Sequence, residues 1–142
     1  MNDIGTLENI KEGPFFYHDA PFRDKALGNS GAIESGTFDM ACTQGALKIM
    51  LFAVTGATVA ATKTVKVELL GSDKEDGTYT VYKTVTITGA ETTGTAITAD
   101  EKQPLVQFIP ELDAPKYGKL KITTDSNLSA VKVTAKIGYI AR

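Results

Sequence analysis

Residues 131–137 read Val-Lys-Val-Thr-Ala-Lys-Ile, with an apolar residue at each odd position and a polar residue at each even one. Successive side chains of a β-strand point to opposite faces, so this period of two predicts a strand with one buried face. Residues 65–69 and 119–122 alternate in the same way, as do residues 79–88 except near Tyr82. One-sided strands therefore dominate the second half of the chain.

Residues 47–54 read Leu-Lys-Ile-Met-Leu-Phe-Ala-Val and carry apolar residues at both odd and even positions. Flanking Gly45 and Gly56 and the short length favour a strand over a helix. A strand of this kind is covered on both faces. We expect the opposite sheet to cover one face and an arm or a second subunit to cover the other, which predicts a homo-oligomer, either a dimer or a trimer.

Turn signals separate the strands at short intervals. Residues 71–77 predict a loop that ends in glycine, and residues 125–127 predict a tight turn joining the last two strands. Pro104, Pro110 and Pro115 mark the ends of a short strand at residues 105–109 and the loop after it. About eight strands are predicted, at residues 36–43, 46–54, 64–70, 78–88 with a break near Tyr82, 95–98, 104–109, 117–124 and 129–140. No amphipathic helix separates them, so residues 36–142 are predicted to form an all-β, jelly-roll-like β-sandwich.

Residues 1–35 differ from the rest because they carry Gly and Pro breaks and no sustained apolar period. We interpret them as an extended N-terminal arm or loop. Its aromatic residues, followed by the basic Arg23, are candidate anchors on a partner, and the alternative is that the aromatics cap the open end of their own sandwich. These aromatic residues are Phe15, Phe16, Tyr17 and Phe22.

Composition narrows the classes of function. The 142 residues suit one domain, and the net charge of -2 argues against direct binding to nucleic acid. The single Cys42 cannot form an intramolecular disulfide, which favours a reducing compartment and a buried thiol. The N-terminus has no signal-peptide pattern, and no apolar run approaches the length of a membrane span, so we expect no membrane partner.

The sequence contains no motif that is typical of a catalytic or ligand-binding site. His18 is the one histidine, and no nucleophile motif accompanies it. The acidic loop at residues 73–77 lacks the alternating oxygen ligands of a calcium loop, so a solvated turn is expected there. No metal-ligand spacing and no glycine-rich phosphate loop is present. We therefore predict no catalytic residue, no metal site and no cofactor, and a protein that is not an enzyme.

Charge is unevenly distributed along the chain. Residues 115–142 carry six basic residues and one acidic residue, a net charge of +5. If the last two strands form a hairpin, the alternation places four lysines on its outward face: Lys119, Lys121, Lys132 and Lys136. Such a face either keeps the sheet soluble or docks on an acidic surface of a neighbouring subunit or another protein.

Two groups of segments resemble a known family. Residues 65–73, Val-Lys-Val-Glu-Leu-Leu-Gly-Ser-Asp, with the Gly-ended turn that follows and Thr78-Tyr79, resemble the strand-turn-strand unit of small jelly-roll cement (decoration) proteins of tailed-bacteriophage capsids. Residues 108–110, 114–122 and 130–137 resemble the later part of that pattern in the same order. The resemblance covers about residues 46–140. Gly118 departs from it and predicts a bulge in that strand.

The resemblance implies a structural virion protein that binds the outer surface of the capsid shell and reinforces it. Its partner would be the major capsid protein, its place the capsid exterior, and its site of synthesis the host bacterial cytoplasm. The arm would act as a clamp, and the family offers no catalytic residues to carry over. A carbohydrate-binding or receptor-binding β-sandwich module and a jelly-roll enzyme are the alternatives, since sandwiches host all of these functions.

Overall fold

The structure of the protein, a computed structural model, describes residues 15–40, 47–100, 102–111 and 113–140, with the backbone alone for residues 15–20, 139 and 140. Every regular element within these ranges is a β-strand, which confirms the predicted all-β class. The strands are β1 (Phe15–Ala26), β2 (Asn29–Glu34), β3 (Phe38–Asp39), β4 (Leu47–Ala53), β5 (Ala57–Val59), β6 (Thr64–Ser72), β7 (Thr80–Thr88), β8 (Thr95–Ile97), β9 (Val106–Phe108), β10 (Tyr117–Asn127) and β11 (Lys132–Ile140). Across the described ranges, no helix has the length and apolarity that a bilayer crossing requires.

Two antiparallel sheets form the sandwich. Sheet A has four strands in the order β1-β11-β4-β9. Sheet B has the order β2-β10-β6-β7, with the short β3 also paired to β10. β5 and β8 form a separate two-stranded sheet. The predicted β-sandwich is confirmed, with eleven strands in the described residues where the sequence predicts about eight.

The hydrophobic core lies between the two sheets, where the alternating residues of each strand meet. In β10 every second residue is buried, from Gly118 to Ser126. Leu120 and Ile122 of that strand, like Val67 of β6, belong to the same buried cluster as Ile49 of β4. The period of two in the sequence thus determines whether each side chain faces the core or the outer side of its sheet.

β4 is covered on both faces, as its doubly apolar sequence predicts. Its odd-numbered residues belong to the core, and on the opposite face Met50 is 4% exposed and Phe52 is 7% exposed. The ammonium group of Lys136, on the adjacent β11, lies 5.4 Å from the centroid of the Phe52 ring. A neighbouring strand of the same chain therefore supplies part of this second cover, and the predicted oligomer stays a prediction.

The structure places much of the predicted arm within the sandwich. β1 pairs with β11 in sheet A and β2 pairs with β10 in sheet B. Their connection is fastened to the β10–β11 connection, because the Leu27 amide donates to the Val131 carbonyl at 2.9 Å and the Leu128 amide to the Gly28 carbonyl at 3.1 Å. Residues 15–26 and 29–34 are thus sheet strands, while residues 1–14 of the predicted arm lie outside the described ranges.

The last two strands do not form the predicted hairpin. β10 continues through residues 125–127, where the sequence predicts a turn, and β10 and β11 lie in different sheets. Their connection crosses the end of the core, since Leu128 is 2% exposed and Val131 is 0% exposed. A hairpin turn on the surface would leave both side chains in water, so burial of these two residues favours the crossing.

The predicted break near Tyr82 is confirmed as a β-bulge. Leu69 of β6 lies opposite Lys83, whereas the next residue, Leu70, lies opposite Val81, so Tyr82 is the additional residue of β7.

The bulge predicted at Gly118 is wrong. Gly118 pairs in unbroken register with Gly71 on one side and with Phe38 on the other. A Cβ atom at this position would lie 2.7 Å from the Phe38 ring and 2.8 Å from the Met40 sulfur. Glycine therefore leaves room for two core side chains that pack closely above the strand.

Candidate functional site

The predicted site residues lie on several surfaces of the protein. Of these, the outer side of sheet B carries the most varied set of polar side chains. β10 is the second strand of this sheet, and its half-buried residues Tyr117, Lys119 and Lys121 alternate with core residues. Register places Glu34 of β2 and Glu68 of β6 on either side of Lys121. We call this surface the β10 face and define it by Glu34, Glu68, Tyr79, Tyr117, Lys119 and Lys121.

Charges of both signs alternate across the β10 face. The ammonium group of Lys119 lies 3.9 Å from a carboxylate oxygen of Glu34. Glu68 is only 8% exposed, and its carboxylate lies 3.9 Å from the ammonium group of Lys66. Because the carboxylates partly balance the lysines, the face is a mixed-charge surface rather than the uniformly basic one that the local net charge suggests.

Two tyrosines border the lysines of the β10 face. The Lys119 ammonium lies 4.7 Å from the ring centroid of Tyr79, and Lys116 lies 5.4 Å from that of Tyr117. These are cation–π distances, so one face of each ring is occupied by a lysine. The Tyr79 hydroxyl donates to the Glu75 carbonyl at 2.7 Å.

The hydroxyl of Tyr79 is held in its neutral form. Burial is the largest cause that raises the pKa of this phenol above its ordinary value, and the nearby Glu75, Tyr117 and Asp76 raise the pKa further. Both causes oppose formation of the phenolate, because a charged oxygen loses hydration and lies near other negative groups. The raised pKa therefore keeps Tyr79 protonated, and its hydroxyl able to donate, to a higher pH than an ordinary tyrosine.

The four predicted lysines do not share one surface. Lys119 and Lys121 lie on sheet B, while Lys132 and Lys136 lie on sheet A, because β10 and β11 belong to different sheets. Lys132 is exposed, like Arg23 of β1, and Lys136 is half-buried. The structure thus divides the predicted basic face into two separate pairs.

The predicted aromatic anchors also divide. Phe22 is 4% exposed and belongs to the core cluster, so it is not available to a partner. Phe15, Phe16 and Tyr17 have their backbone in β1, paired with β11, and their side chains lie outside the described part of the structure. The same holds for the His18 side chain, while Cys42 lies wholly outside the described ranges.

No set of three or more His, Cys, Asp or Glu residues is placed to hold a metal ion within the described part of the chain. The acidic loop is a closed turn in which the Gly77 amide donates to the Lys74 carbonyl at 3.0 Å. The Ser72 hydroxyl donates to the same carbonyl at 2.8 Å, and the side chains of residues 73–76 are exposed. The solvated turn predicted here is confirmed.

Sequence reasoning missed a groove between the two sheets. The groove has a volume of about 440 Å³ and lies between β7, at one edge of sheet B, and β9, at one edge of sheet A. Its lining residues are Lys83, Thr84, Val85, Gln107, Phe108 and Ile109. The sequence does not predict the exposure of Val85, which is 37%, because Val85 belongs to the alternating apolar residues of 79–88. Ile109 is 45% exposed and directly follows the end of β9.

Comparison of the chain with protein-family models, with curated protein sequences and with solved structures finds no match. The assignment of a function therefore rests on the surfaces described above and on the resemblance in sequence.

Proposed function

We propose that the protein is a structural virion component that binds the outer surface of a capsid shell and stabilises it. The observation that supports this proposal is the β10 face, which combines lysines, tyrosines and carboxylates on one side of a sheet. Tyrosine is favoured at protein interfaces, where it supplies a large contact area and a polar end. The proposed partner is the major capsid protein.

The position of β10 makes this face well ordered. β10 is hydrogen-bonded on both sides, to β6 along one side and to β2 and β3 along the other. Its outward side chains therefore project from a fixed backbone, and little conformational entropy is lost from the main chain on binding. A rigid, moderately sized face suits a protein that makes modest contacts at many equivalent sites of a symmetric shell.

The mixed charge of the β10 face favours specific docking over general adhesion. Lysines paired with carboxylates require a partner surface with charges in a matching arrangement, since like charges brought together cost free energy. An acidic group of the capsid protein beside Lys121 and a basic group beside Glu34 would meet this requirement. Contact of this kind weakens as salt rises, because exposed charges are screened.

Co-sedimentation with expanded, undecorated capsids tests the proposal. Lys119→Glu with Lys121→Glu reverses two charges on the β10 face, and the matched control, Arg23→Glu with Lys132→Glu, makes the same total change on sheet A. We expect saturable binding of the wild type and a loss of at least about tenfold in affinity, which corresponds to about 1.4 kcal/mol, for the first pair alone. Absence of saturable binding by the wild type contradicts the capsid function, and equal losses in both pairs contradict the role of the β10 face.

A carbohydrate-binding module is the second candidate, because Tyr79 and Tyr117 lie together on one face and aromatic rings are the usual platforms for sugars. A lysine already lies over one face of each ring, so a sugar would stack on the other face. Binding on a glycan array that Tyr117→Ala abolishes would favour this function over capsid binding.

A further inference from the structure

The outer edge of β7 is less protected than the other strand edges of the sandwich. Among the described residues, three register shifts interrupt β1, and β9 has three residues between Pro104 and Pro110. β2 has six residues, and its pairing with β10 is broken by a shift before Asn127. β7 has nine residues, no proline and a single charged side chain, Lys83, and its bulge at Tyr82 leaves residues 83–88 in unbroken register with β6. An exposed edge of this kind is a template for pairing with another strand.

The hydrogen-bonding groups at this edge can be assigned from the pairing on the other side. The Gly89 amide donates to the Lys63 carbonyl at 2.8 Å, which continues the register of β7 with β6. Hydrogen-bonded pairs alternate along an antiparallel ladder, so residues 83, 85 and 87 direct their backbone groups to β6. Thr84 and Thr86 therefore direct their N–H and C=O groups outward. The Thr88 carbonyl also points outward and accepts the Thr95 hydroxyl at 2.8 Å.

Exposed apolar side chains concentrate at the same place. Four large hydrophobic residues of the described part are exposed, and three of them, Val81, Val85 and Ile109, lie on β7 or directly after β9. Val85 and Ile109 also line the groove between β7 and β9. Free backbone groups and exposed apolar side chains thus coincide at one side of the sandwich.

We propose that a second copy of this chain pairs with the outer edge of β7, antiparallel and about a two-fold axis at Val85. In this register Thr84 lies opposite Thr86 of the second copy, and each such pair exchanges two hydrogen bonds. The two sheets B then become one continuous sheet, and each Val85 covers the other beside the groove. The proposal is independent of capsid binding, because it uses β7 and β9 and not the β10 face.

The charge pattern of β7 favours a second copy as the occupant. Lys83 is the one charged residue of the strand, and this register places it opposite Ile87 of the second copy. The two Lys83 side chains then lie four residues apart along the strand, about 13 Å at about 3.3 Å per residue. This separation exceeds the Debye length of about 8 Å at physiological ionic strength, so repulsion between them is weak. Threonine and β-branched side chains facing each other stabilise such a pair of strands.

Sedimentation velocity of the full chain over a range of concentrations tests the proposal. Val85→Lys and Val85→Glu each place two like charges together at the two-fold axis, so each variant is expected to raise the dissociation constant at least about tenfold. An equal mixture of the two variants places lysine opposite glutamate and is expected to restore the dimer. Val54→Lys is the matched control, since Val54 is 38% exposed and Val85 is 37% exposed, and Val54 lies on neither β7 nor β9.

Several outcomes overturn the proposal. If the wild-type protein remains monomeric at every concentration, self-association is refuted and the β7 edge would bind a different partner. Dissociation by Val54→Lys equal to that by Val85→Lys refutes the location, and a mixture that stays monomeric refutes the axis at Val85. Amide exchange of the wild type checks the register without any substitution: exchange at Thr84 and Thr86 must slow as the protein is concentrated, while the Val85 amide, bonded to β6, must stay protected throughout.

Discussion

Phe22→Ala tests whether β1, residues 15–26, belongs to the sandwich or forms a detachable arm. Phe22 is 4% exposed and lies opposite Ala135 in the pairing of β1 with β11. Truncation of a buried phenylalanine to alanine costs about 3–5 kcal/mol, because burial is lost and a cavity remains. A domain of this kind has a total stability of about 5–15 kcal/mol, so the loss is a large fraction of it. With 142 residues, the corresponding fall in Tm is about 10–17 °C.

Urea unfolding followed by circular dichroism measures this change, and Arg23→Ala is the control. Arg23 is the exposed neighbour of Phe22 on the same strand, so its removal is expected to change the unfolding free energy by less than about 0.5 kcal/mol. The slope of the unfolding free energy against urea concentration should be the same in the wild type and both variants, so that their unfolding midpoints can be compared directly. If Phe22→Ala unfolds at the same urea concentration as the wild type, β1 contributes little to the core and the reasoning is refuted.

Three further substitutions test packing, hydrogen bonding and ionisation. Gly89→Ala brings a methyl group against backbone atoms and should cost about 1–3 kcal/mol in urea unfolding, while Gly31→Ala, with open space around it, should cost less than about 0.5 kcal/mol; equal effects would contradict this. Ser35→Ala removes the hydroxyl that accepts the Leu120 amide at 2.9 Å in a buried site, so the unfolding free energy should fall by about 1–3 kcal/mol, and an unchanged value would show that water replaces the hydroxyl. The raised pKa of Tyr79 favours the protonated phenol in the folded state. Its contribution to the unfolding free energy is therefore complete below the unfolded pKa of 10.0 and is lost as pH rises through the higher folded pKa. Tyr79→Phe should lose less stability than the wild type in this alkaline range, and parallel profiles of stability against pH would contradict the raised pKa.

The strands that sequence could predict are those with one face in the core. β6, β10 and β11 follow the period of two because their apolar residues, at alternate positions, face the core while the polar residues between them face the outer side of the sheet. The break near Tyr82 was also readable, since two polar or aromatic residues interrupt the alternation there. A local sequence pattern predicts a strand correctly wherever the burial of each residue depends only on whether its position is odd or even.

β1 and β2 could not be predicted in this way. β1 shifts register three times, so core positions do not recur at a constant interval. β2 has no fully buried residue, and its sequence therefore carries no apolar alternation. Both strands are recognised only by their partners β11 and β10, which lie about a hundred residues away, and a local pattern contains no information about such pairing.

The candidate site was predicted in part. Alternation correctly directs Lys119 and Lys121 away from the core, but their grouping with Lys132 and Lys136 assumed that adjacent strands pair. Adjacent strands are neighbours in only about two-thirds of cases. The signal that distinguishes the two arrangements is present in the connection itself, where Leu128 and Val131 are apolar at positions that a surface turn would fill with polar residues.

The pairing of β1 with β11 and of β2 with β10 also determines when the chain can fold during synthesis. Lys132, opposite Ala26, is made more than a hundred residues after it. At elongation rates of about 5–20 residues per second, the first strands wait about 5–20 s for their partners to leave the ribosome. Contacts so distant in sequence also slow folding once the chain is complete. During this interval Phe22 and Leu27, which are buried in the folded protein, are uncovered, so the newly made N-terminal segment exposes apolar side chains until β10 and β11 are made.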